Sequence, residues 1–126
     1  MTKNQLLLVT SIFFFLFLSA CSTYGTLIEE NQNNIRKISP GLTKNEVVEI
    51  MGSRQAKVKS TYVSNPYKRD FFSLDNDEYE ILYYLTRRYP PYTAVKVSQA
   101  TPIVIKNGKV IGLGVEALKM VKGGKK

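Results

Sequence analysis

The chain has 126 residues, enough for one small domain, and a formal net charge of +8. With 44% hydrophobic and 22% charged residues, it is too apolar for a wholly disordered protein. Histidine is absent and cysteine occurs once, which excludes Ser–His and Cys–His catalytic pairs, Cys/His zinc sites and an internal disulfide. Acid–base chemistry by Asp, Glu, Lys or Tyr stays open. The positive charge favours an anionic partner: nucleic acid, phospholipid headgroups or an acidic protein surface.

The first twenty residues have the three-part organisation of a signal peptide. Lys3 supplies a positive start, Leu6–Leu18 is an apolar run, and the small residues Ser19 and Ala20 precede Cys21. The apolar run is shorter than the roughly 20 residues that span a bilayer. We therefore predict a signal peptide at residues 1–20, which is removed, and no membrane-spanning helix.

The spacing Leu18-Ser19-Ala20-Cys21 resembles the lipobox of bacterial lipoproteins. The resemblance implies that the Cys21 sulfur receives a diacylglyceryl group and that the chain is cut before Cys21. It also implies that the new amino group receives an acyl chain such as palmitate. Ser22, where Asp would retain the protein in the inner membrane, implies the outer membrane, with the domain facing the periplasm. The alternative is an ordinary secretory signal followed by an unmodified cysteine.

Two short helices are predicted after a tether at residues 21–25. Apolar residues recur at nearly helical spacing over Leu27–Ile38, which predicts the first helix. The second helix, Lys44–Met51, has the clearest local signature. Thr43 and Glu46 have the spacing of a capping box, and Gly52 stands where a left-handed residue often ends a helix.

The rest of the chain predicts antiparallel strands. Asn107-Gly108 between two apolar runs is the strongest hairpin signal in the sequence. The expected strands are residues 56–62, 67–74, 79–88, 102–106 and 109–113, followed by a short helix over 115–121. Two helices followed by three or four antiparallel strands give an α+β domain, with the helix pair packed on the sheet. We place this domain at residues 26–122, before a basic tail at 123–126.

Three segments that resemble functional motifs are better explained by local structure. Gly112–Ala117 matches G-x-G-x-x-A, but the required βαβ unit and downstream acid are missing. Asp75-Asn76-Asp77 is not followed by the Gly and Glu that complete a calcium loop. Glu46 and Glu49 share a helix surface, where Glu46 already has a capping role. We expect no cofactor, no metal and no enzymatic activity.

The dispersed basic residues lie among aromatic residues, a pattern that could indicate nucleic-acid binding. A secreted, lipid-anchored protein rarely meets nucleic acid. Solvated faces and attraction to anionic membrane surfaces explain the charges better. We therefore expect no nucleic-acid partner.

The second predicted helix also resembles a known lipoprotein family. The stretch Pro40–Val47 with Met51-Gly52 is similar to the G-(M/L)-(T/S)-x-x-x-V-x-x-x-x-G helix of the SmpA/OmlA (BamE-like) outer-membrane lipoproteins. Residues 79–86, 101–104 and 107–114 look closer to a related group of uncharacterised proteobacterial lipoproteins. The resemblance implies two helices against a three-stranded antiparallel sheet, and a role in outer-membrane protein assembly.

A partner-binding surface is predicted on the sheet face opposite the helices. The Asn107-Gly108 hairpin is expected to pair 106/109, 105/110, 104/111 and 103/112, which leaves an apolar second face that needs a cover. The alternative cover is the C-terminal segment, with Leu118 and Val121 packing down. The candidate partner-binding residues on this face are Leu82, Tyr84, Val104, Lys106, Lys109, Ile111 and Leu113.

Together these observations predict a non-enzymatic outer-membrane lipoprotein whose periplasmic domain binds another envelope protein. Outer-membrane protein assembly and envelope maintenance are the expected processes. Two other functions stay open. One is an envelope module that binds anionic lipid or peptidoglycan, and the other is an inhibitor or regulator of a periplasmic enzyme.

Overall fold

The fold is α+β, as predicted, and contains two antiparallel sheets. The computed structural model describes residues 3–5, 23–88 and 94–123. The elements in residues 23–88 and 94–123 are α1 (Tyr24–Ile35), α2 (Lys44–Met51), β1 (Gln55–Val58), β2 (Thr61–Ser64), β3 (Lys68–Leu74), β4 (Asp77–Leu85), a 3₁₀ turn (Val97–Gln99), β5 (Ala100–Lys106), β6 (Lys109–Leu113) and α3 (Gly114–Lys122). In these ranges β1 and β2 form a two-stranded sheet, and β3, β4, β5 and β6 form a four-stranded sheet in chain order.

Helix α1 begins and ends three residues earlier than the predicted helix over 27–38. It begins at Tyr24 because the Thr23 hydroxyl accepts a hydrogen bond from the Thr26 amide at 3.2 Å. Ile38, which the apolar spacing had included in the helix, lies after its end and packs in the core from the connecting segment. Thr23 also pairs with Lys57 of β1, so α1 and its cap overlap the predicted tether at residues 21–25.

The structure confirms the second predicted helix, α2, with the bounds and the cap that its local sequence indicated. The Glu46 amide donates to the Thr43 hydroxyl at 3.2 Å, and the Thr43 amide donates to the Glu46 carboxylate at 2.7 Å. These two bonds form the capping box. The helix ends at Gly52, whose φ of 72° lies in the region that favours glycine.

The predicted single strand over residues 56–62 is wrong, because the chain reverses within it. Lys59, at φ 55°, and Ser60 form the turn between β1 and β2. Ala56 pairs with Val63, and both side chains are buried. The two-residue turn pairs Val58 with Thr61 and so shifts the phase of the alternation, which places Val63 and not Tyr62 on the buried face with Ala56. The alternation of residues 56, 58, 60 and 62 continued across the turn in the sequence, so the pattern alone did not separate one strand from a hairpin.

The two tight turns of the four-stranded sheet lie at the same end. Asp75 and Asn76 reverse the chain between β3 and β4, and Asn107-Gly108 reverses it between β5 and β6. All four residues have positive φ, and the second turn confirms the hairpin prediction. The Asn107 side chain joins the turns by accepting a hydrogen bond from the Glu78 amide at 2.9 Å.

The apolar core has two clusters, each with its own helix. Helix α2 packs on the four-stranded sheet through Val47 and Met51. Helix α1 packs on the β1–β2 hairpin and the end of β4 through Leu27 and Ile28, which adjoin Leu85. The sheet face opposite α2, called the second face below, therefore needs a different cover.

Candidate protein-binding site

Helix α3 covers the second face of the four-stranded sheet. Its approach is so close that a Cβ atom on Gly112 would lie 2.9 Å from the Ala117 Cβ. Val121 is buried, and the Lys122 ammonium lies 3.4 Å from the Tyr83 hydroxyl on β4. The C-terminal segment therefore provides the cover that the sequence had offered as the alternative to a partner.

The close packing of α3 also explains the Gly112–Ala117 motif. Gly112 lies on β6, and Gly114, at φ 88°, begins α3 directly after the strand. The strand, the glycine turn and the helix are consecutive elements of an antiparallel arrangement, which differs from the βαβ unit of a dinucleotide site. Gly112 permits the close contact between β6 and α3, and Gly114 supplies the positive φ at the start of the helix.

The predicted partner-binding residues do not share an exposed face. Leu82, Tyr84 and Val104 are fully buried. The register of β4 against β5 pairs Leu82 with Ile103, so Leu82 and Tyr84 lie in the core beneath α2. The prediction that Leu82 and Tyr84 lie on the second face was wrong. The alternation of side chains within one strand does not determine its register against the next strand, and a shift of one residue moves every side chain to the opposite face of the sheet.

A β-bulge changes the predicted pairing of β5 with β6. The 106/109 and 105/110 pairs form as expected, but Gly112 then pairs with Val104 and Leu113 with Ile103. Ile111 is the additional residue and is 44% exposed. The other predicted residues that keep an accessible surface are Lys106, Lys109 and Leu113.

An apolar groove lies beside α3, where the helix meets the turn end of the sheet. Its volume is about 220 Å³. Ile111 borders it from β6, and Met120, which is 82% exposed, borders it from α3. The groove is lined by Leu74, Tyr79, Ile111, Ala117, Met120 and Val121.

Ile111 is the only groove residue that the sequence had assigned to the partner-binding set. Ala117 and Val121 are four residues apart on the side of α3 that faces the sheet, and this helical spacing could have indicated them. Leu74 and Tyr79 flank the β3–β4 turn. Leu74 and Tyr79 line the groove only because α3 packs beside them, and the sequence around these two residues does not indicate that contact.

The Tyr79 ring in the groove lining is positioned by aromatic stacking and by a contact with a lysine ammonium. The Tyr79 ring stacks on Phe72, with ring centroids 5.1 Å apart and an interplanar angle of 9°. The Lys106 ammonium lies 5.8 Å from the centre of the Tyr79 ring and 3.2 Å from the Asp77 carboxylate. Hydrogen bonds from Asn107 and Lys106 lower the pKa of Asp77, and the same ion pair raises the pKa of Lys106.

A polar cluster fastens the end of α3 to the sheet. Asp70 on β3 accepts a hydrogen bond from the Tyr83 hydroxyl at 3.0 Å and lies 3.5 Å from the Lys122 ammonium. Burial and the neighbouring Asp70 raise the pKa of Tyr83 to about 12. Burial pushes the pKa of Asp70 upward, but hydrogen bonds from Lys68 and Tyr83 and the charges of Lys68 and Lys122 outweigh it and lower that pKa.

The remaining acidic residues form no evident reaction centre. Across residues 3–5, 23–88 and 94–123, no group of three or more His, Cys, Asp or Glu is placed to hold a metal ion. A shallow depression of about 620 Å³ lies between the C-terminal parts of α1 and α2. Its carboxylate, Glu30, is paired with Arg54 at 2.7 Å.

The predicted lipidation site Cys21 and the apolar run before it lie outside the described residues. In the described part of the chain, no helix combines the length and apolar character needed to cross a membrane. Cys21 lies two residues before Thr23, the residue that caps α1.

Most of the chain matches a known protein family. Residues 22–120 match the family described as "Protein of unknown function (DUF3192)". No curated protein and no solved structure matches the chain. The matched range extends from the residue after Cys21 to Met120 in α3.

Proposed function

The chain belongs to the DUF3192 family, and we propose that it is a non-enzymatic outer-membrane lipoprotein that binds an envelope protein through the groove beside α3. The groove carries the binding function, and the lipobox-like sequence before Cys21 supports the anchor. The likeness of the α2 region to the SmpA/OmlA motif supports a BamE-like arrangement of helices and sheet. It also supports a role in outer-membrane protein assembly or envelope maintenance.

Two large apolar side chains at the rim of the groove are exposed to solvent, and this exposure does not stabilise the isolated domain. Met120 and Ile111 present 82% and 44% of their surfaces to solvent on opposite sides of the groove. Contiguous exposed apolar surface is uncommon on monomers and marks interaction sites. The flexible thioether of methionine also adapts to differently shaped partners.

The size and lining of the groove favour a protein side chain over a small molecule. Its volume of about 220 Å³ is below the roughly 300–1,000 Å³ of most small-molecule pockets. The lining contains no charged side chain to orient a substrate. An apolar anchor residue of a partner would fill the groove, with Lys106 at its polar rim.

A matched pair of substitutions on α3 tests the groove. Met120→Glu places a charge at the groove, whereas Val115→Glu places the same charge on the same helix at an exposed position outside the lining. In pull-downs from detergent-solubilised envelopes at high salt, the wild type and Val115→Glu should retain the same partner, and Met120→Glu should lose it. Thermal melting confirms that both variants fold. Salt-resistant capture by Met120→Glu would exclude the groove as the binding site.

A separate experiment tests the anchor. Cys21→Ser should leave an unprocessed precursor and abolish incorporation of radiolabelled palmitate, because both processing and acylation require the thiol. Palmitate label retained on the variant would contradict the lipoprotein assignment. A mature wild-type protein with a free Cys21 thiol would contradict it equally.

A further inference from the structure

The end of the domain at which α1 begins lies close to the proposed anchor. Thr23 caps α1 and pairs with Lys57 of β1. A Cβ atom on Gly25 in the first turn would lie 3.3 Å from the Arg88 guanidinium. Lys57 and Arg88 therefore flank the first turn of α1. Two extended residues span at most about 7 Å, so an acylated Cys21 would hold this end of the domain against the bilayer.

This end carries cations that have no acidic partner. Within residues 23–88 and 94–123, the exposed side chains of Lys57, Lys59, Arg87 and Arg88 form no ion pair. Two lysines of the four-stranded sheet differ, since Lys68 and Lys106 are each paired with an aspartate. Arg36, Arg69 and Lys109 are also unpaired in the described ranges, but Lys57 and Arg88 are the unpaired cations that flank the first turn of α1, beside the proposed anchor.

An exposed aromatic residue accompanies these cations. Tyr62 on β2 is paired with Lys57 on β1, so the two side chains lie side by side on the outer face of the hairpin. Tyr62 is 69% exposed, whereas the neighbouring Val63 points into the core. A tyrosine ring beside a lysine is a common combination at the headgroup level of a membrane.

We propose that Lys57, Lys59, Tyr62, Arg87 and Arg88 form a membrane-binding surface that contacts anionic phospholipid headgroups. The inference rests on the proposed lipid anchor for its orientation and adds a second binding surface to the groove. Each cation near an anionic bilayer strengthens binding about fivefold, and a basic patch reinforces an acyl anchor.

This orientation leaves the groove accessible. Leu85 at one end of β4 packs beneath α1, and Tyr79 toward the other end lines the groove. Six residues of extended strand separate these positions by about 20 Å. A domain seated on headgroups at the α1 end therefore presents the groove to a partner at a distance from the bilayer.

Depth-dependent quenching tests the surface in the acylated, processed protein. A fluorescent amino acid replaces Ser60 in the β1–β2 turn or, as a matched control, Asn76 in the β3–β4 turn. Vesicles contain lipid-attached quenchers in phosphatidylcholine, with or without phosphatidylglycerol. We expect the probe at position 60 to be quenched in phosphatidylglycerol vesicles, with most of that quenching lost at high salt, and the probe at position 76 to stay unquenched.

Charge reversal distinguishes headgroup binding from simple proximity to the anchor. Lys57→Glu with Arg88→Glu should reduce quenching at position 60 to its level in phosphatidylcholine. Arg36→Glu with Lys109→Glu makes the same change of net charge at exposed residues away from this end and should retain the quenching. Quenching that is independent of phosphatidylglycerol, or unchanged by Lys57→Glu with Arg88→Glu, would overturn the proposal. Flotation with pure phosphatidylcholine vesicles reports the acyl anchor separately, so failure of the anchor and failure of the basic surface are distinguishable.

Discussion

The side-chain amides of Asn31 and Asn65 each donate a hydrogen bond to the other. Asn31 Nδ2 donates to Asn65 Oδ1 at 2.9 Å, and Asn65 Nδ2 donates to Asn31 Oδ1 at 2.7 Å. Asn31 also donates to the Leu85 carbonyl, and Asn65 donates to the Met51 carbonyl. Both side chains are buried, so this pair joins α1, the segment after β2, the end of α2 and the end of β4.

Asn31→Ala should lower the free energy of unfolding by about 3 kcal/mol, because each buried polar group left without a partner costs about 1–3 kcal/mol. Urea denaturation measures the loss. Asn33→Ala, at an exposed position of the same helix, is the control and should change stability by less than about 0.5 kcal/mol. Since the two amides share bonds, Asn31→Ala with Asn65→Ala should cost less than the sum of the single changes. Equal losses in Asn31→Ala and Asn33→Ala would contradict the role of the pair.

Gly112→Ala should destabilise the protein by about 1–3 kcal/mol, because the new methyl group would meet the Ala117 Cβ at 2.9 Å. Adding Ala117→Gly removes that contact and should recover part of the loss. Recovery is incomplete because glycine inside a helix costs about 1 kcal/mol relative to alanine. Thermal melting of both single variants and of the double variant measures the coupling. Additive losses would mean that this contact does not set the distance between α3 and the sheet.

Removing the hydroxyls of the adjacent tyrosines Tyr83 and Tyr84 should affect stability differently. The Tyr83 hydroxyl binds Asp70 and Lys122, so Tyr83→Phe should cost about 1 kcal/mol. The Tyr84 hydroxyl is buried without a hydrogen-bond partner among the described residues, and burial raises its pKa to about 12. Tyr84→Phe should therefore leave stability unchanged or increase it by up to about 1 kcal/mol. A large loss in Tyr84→Phe would show that its hydroxyl has a partner.

The lowered pKa of Asp70 predicts a pH-dependent contribution to stability. Its carboxylate favours the folded state above the unfolded pKa of about 3.9, and this contribution is lost as the pH falls through the lower, folded pKa. Asp70→Asn should therefore be less stable than the wild type at pH 7, and the difference should shrink as the pH falls below about 4. Urea midpoints across this range measure it. Asp75→Asn, at an exposed turn position, should follow the wild-type curve, and a constant deficit in Asp70→Asn would contradict the linkage.

Several elements followed from the sequence by itself because their signals are local. The capping box of Thr43 and Glu46 and the end of α2 at Gly52 depend on hydrogen bonds and backbone angles within one or two helical turns. Asn107-Gly108 adopts positive φ at both positions with little strain, which determines the hairpin turn. The α+β class followed from the order of these elements.

The candidate site depended on tertiary structure. The pairing of Leu82 with Ile103 placed Leu82 and Tyr84 beneath α2, and the β-bulge moved Ile111 to the rim of the groove. The burial of Asn31, in a polar run of α1, required partners 34 and 54 residues away along the chain. Register, bulges and buried polar pairs are selected by the combined burial and hydrogen bonding of segments distant in sequence, and no short window of residues contains that information.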